Sequence, residues 1–95
     1  MLTLPIKKKW FDMISTGEKT EEYRAITEYY RSRFHNAADG AGRFWCILQN
    51  GYSKNSPRLY CYVEISVGYG VPSWGAEPHT EYYVLKIIDK RTSPF

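Results

Sequence analysis

The chain opens on an alternation: Leu2, Leu4 and Ile6 against Thr3 and Pro5 predict a strand, and Pro5, which has no backbone donor, predicts that the strand lies at a sheet edge. From Lys8 the period changes. Ile6, Trp10, Met13 and Ile14 recur at helical spacing, and Gly17 is the residue best suited to a left-handed C-terminal cap, so a short amphipathic helix ends there. Lys19 to Ala25 is polar and alternating and reads as a strand before the next helix. Thr27 is placed to cap that helix, with Ile26, Tyr30 and Phe34 on one face, Arg31 and Arg33 elsewhere, and a loop from Asn36 to Gly42 after it.

Phe44 to Gln49 predicts another strand. Asn50-Gly51 follows as a turn signal, and Ser53 to Pro57 lengthens the connection into a long hairpin loop. The next strand has the cleanest pattern, with Leu59, Cys61, Val63, Ile65 and Val67 pointing one way and Tyr60, Tyr62, Glu64 and Ser66 the other. A Gly/Pro-rich loop from Gly68 to Pro78 carries Trp74. Tyr82 to Ile88 closes the chain's pattern, and Val84, Leu85, Ile87 and Ile88 predict burial on both faces. The order strand, helix, strand, helix, three strands predicts an α+β fold, with two short helices against one end of a mostly antiparallel five-stranded sheet. A sheet of that size in a small domain hides its edges by curling, so a partly closed β-barrel is the expected architecture. With 95 residues there is enough chain for one hydrophobic core and not for two, so residues 1–95 read as a single domain.

Composition narrows the function classes. Apolar residues at 43% and charged residues at 24% exclude a disordered or fibrous chain. The aromatic share, 17%, supplies either a bulky core or a groove where flat ligands stack. No apolar run approaches the ~20 residues of a membrane-spanning helix. The lysines at 7–9 follow a short apolar stretch instead of preceding a long one, the wrong order for a secretory leader, so a cytoplasmic protein without a membrane partner is expected. Cys46 and Cys61 sit inside strand-like runs, without CxxC spacing, and read as buried free thiols. His35 and His79 have no ligand partners at metal spacing, so neither a metal nor a cofactor is expected. The net charge of +3 tilts the choice of partner toward an anion.

The polar stretch Gly17-Glu18-Lys19-Thr20-Glu21-Glu22-Tyr23-Arg24 carries the candidate chemistry. Residues two apart on a strand share a face about 7 Å apart, which aligns Thr20, Glu22 and Arg24, with Lys19 at the strand's mouth. Arg24 offers a planar donor fork suited to a phosphate or a base edge, and Glu22 can hold that arginine or an amine. The plainer alternative is a solvated face whose ion pairs contribute about 0–1 kcal/mol each. A lysine base needs a depressed pKa, and Glu18, Glu21 and Glu22 favour the ammonium form of Lys19. Lys7, Lys8 and Lys9 spread over about 200° of a helix and do not form one tight face; they read as solvated surface or as a long-range attractor of RNA, a field that Arg31, Arg33, Arg43 and Arg58 could extend. Trp74 is either a plug over the barrel end or a stacking platform; Tyr52 could likewise stack a base, and Tyr60 and Tyr62 read as a surface ladder.

The pattern GxKxxExR in this stretch resembles the signature of the ASCH domain family, relatives of the PUA fold. The run Leu4 to Ile14 is similar to that family's first strand and helix, and Asn50-Gly51-Tyr52, the long strand and Trp74-Gly75 fit its general layout. The resemblance implies a PUA-like curled barrel and a cleft that binds RNA, a nucleoside or a modified nucleobase. Its binding residues would be Lys19, Glu22 and Arg24, joined by Thr20, Asn50, Tyr52 and Trp74. It also implies an alternative, a small hydrolase using Lys19 and Glu22 in the same cleft, because some ASCH-like proteins are N4-acetylcytidine amidohydrolases and others ribonucleases. In the amidohydrolases a threonine stands where this chain has Glu22, and a later glutamate completes the site, for which Glu64, Glu77 and Glu81 are candidates. Thr20 lies on the same predicted face and is a hydroxyl that could substitute.

Overall fold

The computed structural model describes residues 1–93. Its elements follow in the order β1 (Leu2–Ile6), α1 (Lys8–Thr16), β2 (Glu21–Arg24), α2 (Glu28–Ala37), β3 (Arg43–Asn50), β4 (Arg58–Tyr69) and β5 (Glu81–Arg91), with a single 3₁₀ turn at Pro72–Trp74 between the last two strands. Both helix boundaries rest on the residues that predict them. Gly17 caps α1 at φ 86°, a conformation a β-carbon would strain, and its amide donates to the Ile14 carbonyl. The Thr27 hydroxyl accepts from the Tyr30 amide at the start of α2.

The five strands form one sheet in the order β1-β3-β4-β5-β2. β1 runs parallel to β3, and the other three pairings are antiparallel. Pro5 thus lies in an edge strand, as expected. The concave face carries Leu4, Ile6, Phe44, Cys46, Leu48, Leu59, Cys61, Val63 and Leu85, and both helices bury their apolar side chains there, α1 through Phe11 and Ile14, α2 through Phe34. The rings of Phe44 and Tyr83 flank Phe34, at 5.9 and 5.3 Å between centroids. Cys46 and Cys61 oppose each other across β3 and β4 as buried free thiols, and burial pushes both up to about 12. No helix among the described residues is long and apolar enough to cross a membrane.

Four expectations need correction. β2 spans Glu21–Arg24, not Lys19 to Ala25, because the Lys19 amide still bonds back to the Met13 carbonyl and the chain has not yet extended. Ile26 precedes α2 and is 48% exposed, so it does not join Tyr30 and Phe34 on the packed face. Ile88 is 44% exposed: Tyr62 pairs with Asp89 but Val63 with Ile87, so Ile88 is an extra residue in β5, a bulge that rotates it out of the core. Val67 keeps the inward parity of β4 but is 55% exposed, near the end of a strand that runs on to Tyr69.

Among the described residues no backbone pairing closes the barrel. β1 and β2 are the two ends of the sheet, and the curl brings them close enough for Arg24 of β2 to donate through Nη2 to the Pro5 carbonyl of β1 at 2.9 Å. A side chain bridges a seam that no ladder closes.

Candidate functional site

The seam is where the polar stretch lands. After the Gly17 cap, the bond from the Lys19 amide to Met13 turns the chain inward, and Lys19 becomes one of the largest fully buried side chains, 1% exposed. Its ammonium donates to the Glu21 carbonyl, lies 3.2 Å from Glu22 Oε1, and rests 4.7 Å from the Tyr23 ring centre and 5.6 Å from that of Trp10. Glu22 opposes Leu85 on β5, so the pleat sends its carboxylate to the concave face beside the core. Its second oxygen, Oε2, accepts from Arg24 Nη2 at 2.7 Å. Arg24, two residues on, shares that face. Besides Glu22 and Pro5 it reaches Tyr30, whose hydroxyl accepts from Nη1 at 3.1 Å, while Nε is buried without an acceptor among the described residues.

Glu22 therefore clamps two cations at once. Burial lowers the Lys19 pKa below its ordinary 10.5, and the nearby Glu22 only partly restores it. This reverses the expectation that neighbouring glutamates keep Lys19 firmly protonated. Burial also works against the Arg24 charge, but Glu22 and Tyr30 outweigh it and the pKa rises. Tyr23 is raised chiefly by burial; its hydroxyl donates to Glu21 and accepts from the Val71 amide, which ties β2 to the 70–76 loop.

Over this cluster opens a cleft of about 360 Å³, walled by Pro5 to Lys7 at the end of β1, Trp10 of α1, Glu22 to Ala25, Tyr30 of α2, and Trp74-Gly75. Four aromatic side chains line it. Gly75 is required twice over: its φ is 103°, and a β-carbon there would sit 3.0 Å from the Trp10 ring. The 3₁₀ turn thus packs its backbone against one wall while Trp74 supplies another.

The structure brings Lys19, Glu22, Arg24 and Trp74 together and leaves the remaining predicted residues aside. Thr20 falls outside β2 and, with Lys19, Gly17 and Lys90, borders a separate hollow. Lys19 is thus one layer behind the cleft, not at its mouth. Asn50 opposes Ile6 in the sheet register without lining the cleft, and Tyr52 is 90% exposed in the following loop. Glu64 lies 3.6 Å from Arg43, and neither it nor Glu77 nor Glu81 lines the cleft. The donor fork of Arg24 is mostly engaged within the protein, three of its N–H groups having protein acceptors.

Residues that motif reasoning passed over complete the walls: Lys7, Trp10, Tyr23 and Tyr30. Trp10 and Tyr30 each stand in the first turn of a helix flanking the motif strand, and that placement was the available signal. Among the described residues no group of three or more His, Cys, Asp and Glu side chains could hold a metal ion. No family model matches the chain, and no curated protein or solved structure matches it either.

Proposed function

We propose that the seam cleft is the binding site of an RNA base or modified nucleobase in a PUA-like domain of the ASCH type, working in the cytoplasm. One observation carries the reading: four aromatic side chains surround a cleft whose floor is a buried Glu22–Arg24 pair backed by Lys19. Flat rings on the walls favour a flat ligand, since every base presents a π-face for stacking. The floor supplies polar groups fixed by their mutual bonds, so a ligand meets a preorganised surface. A volume of about 360 Å³ is near the lower end of the ~300–1,000 Å³ typical of small-molecule sites, a size suited to one nucleoside.

Tryptophan fluorescence titrated with nucleosides and short RNAs tests this. Trp74→Ala is the informative variant, because it removes a wall without touching the buried cluster. Saturable quenching by at least one base, weakened about fivefold or more in that variant, is expected from the ~1–3 kcal/mol that stacking contributes. Absence of quenching by every base would end the proposal.

A hydrolytic reading, as an N4-acetylcytidine amidohydrolase or a ribonuclease, draws on the lowered Lys19 pKa, the property a general base requires. Against it, Glu22 stands where an acyl-transfer hydroxyl would be needed, and Lys19 and Thr20 both border the other hollow instead of the cleft that Glu22 lines. Turnover of acetylcytidine or RNA that disappears in a folded Lys19→Arg variant, which keeps the charge and removes the titratable amine, would establish it.

A further inference from the structure

We infer that the cleft holds a phosphate beside the base, on Lys7, so that its ligand is a nucleotide, free or within a strand, and not a bare nucleobase or nucleoside. The inference rests on the reading of the cleft as a base site and adds the charge of the ligand to it. The lining residues include two cations, Lys7 and Arg24, against one carboxylate, Glu22. That carboxylate already has Lys19 at 3.2 Å and Arg24 at 2.7 Å. Lys7 is left over: it is exposed at the rim, and no acidic side chain pairs with it among the described residues. A cleft with an uncompensated cation at its rim and its one acid fully engaged favours an anion.

The neighbours of Lys7 strengthen the case. Lys8 pairs with Asp12 at 2.5 Å and is neutralised on the helix surface. Lys9 has no such partner among the described residues and sets its ammonium 4.7 Å from the centre of the Trp10 ring. Of three consecutive lysines, the one that lines the cleft, Lys7, is therefore not the one turned to a carboxylate. Folding does not account for the run. Cations in the first turn oppose the helix dipole, and α1 has no acidic residue there and no side-chain cap, whereas α2 begins with the Thr27 cap and Glu28. A cleft sized for a base with its sugar leaves a phosphate outside the aromatic walls, at the rim where Lys7 stands.

The test compares uridine with its 5′- and 3′-monophosphates and with the trinucleotide UpUpU by calorimetry, at low salt and at about tenfold higher salt. At low salt a monophosphate is expected to bind about tenfold tighter than the nucleoside, a ratio that shrinks as salt rises. Lys7→Gln brings the ratio close to one, while Lys54→Gln, the same change of charge in the 51–57 loop, preserves it. A trinucleotide binding more tightly than either monophosphate assigns the phosphate to a strand; equal affinities assign it to a free nucleotide. The inference is overturned if nucleoside and monophosphate bind alike, or if the ratio survives in Lys7→Gln. If none of the four compounds binds, with the other bases tried as well, it is the base-site reading that fails.

Discussion

Glu22 and Glu28 are six residues apart, and each faces an arginine, Glu22 at 2.7 Å from Arg24 and Glu28 at 3.1 Å from Arg31. Their surroundings differ. The Glu22 side chain is 9% exposed and that of Glu28 79%, and Glu22 holds a second cation, Lys19, that is wholly buried. The Glu28 pair is a surface feature of α2 that water and salt weaken. The Glu22 cluster bears a desolvation cost that a small domain would avoid by placing apolar residues there. Its position at the one seam of the sheet without backbone pairing, beneath an aromatic cleft, gives that cost a functional rationale.

The largest predicted effect breaks the buried member of this comparison. Glu22→Ala strands Lys19 and Arg24 in the interior and is expected to destabilise the fold by about 3–5 kcal/mol in chemical denaturation, with Glu22→Gln costing less because it retains an acceptor for Arg24. A loss under about 1 kcal/mol would show that the cluster is solvated in solution.

Titration sharpens the picture next. Cys46 and Cys61 are raised from 9.0 to about 12, so the unfolded chain releases these protons first, and stability falls as pH rises from about 9 toward 12. Tyr23, raised from 10.0, acts in the same direction. Lys19 acts oppositely: its folded pKa is lowered, so the folded state loses its proton first and gains stability as pH rises toward 10.5. Each group contributes up to about 1.4 kcal/mol per pH unit across its own window, so above pH ~9 two thiols outweigh one amine. Melting curves between pH 8 and 11 should show the decline, with a shallower slope in Cys46→Ala; a flat profile in the parent protein would contradict the buried state of the thiols.

The smallest effect is on the exposed pair. Glu28→Ala is expected to cost less than about 1 kcal/mol by the same denaturation, and a loss comparable to that of Glu22→Ala would erase the distinction between the two pairs.

The parts of the fold legible in the sequence are those fixed by local chemistry: the Gly17 and Thr27 caps, the alternation of Leu59, Cys61 and Val63, and the edge position of Pro5. What escaped depends on partners distant in the chain. The Ile88 bulge exists only relative to β4, and the exposure of Val67 depends on packing that its own alternation does not show. In the site, Lys19, Glu22 and Arg24 stood out through their spacing, but the burial of Lys19 ran against the ordinary preference of lysine for water. The Arg24 bond to Pro5 spans 19 residues and appears only once the sheet has curled. Trp10 and Tyr30 looked like members of helical stripes, and Lys7 like one of three solvated charges, because nothing local shows that β1 and β2 meet beside them.

The most direct test is an NMR titration of the labelled protein with the four nucleoside monophosphates. Shifts confined to the amides of residues 5–10, 22–25 and 74–75 and to the indoles of Trp10 and Trp74 are predicted for at least one of them. Shifts centred on the outward face around Trp45 and Tyr62, or no shifts with any of the four, would contradict a ligand site at the seam.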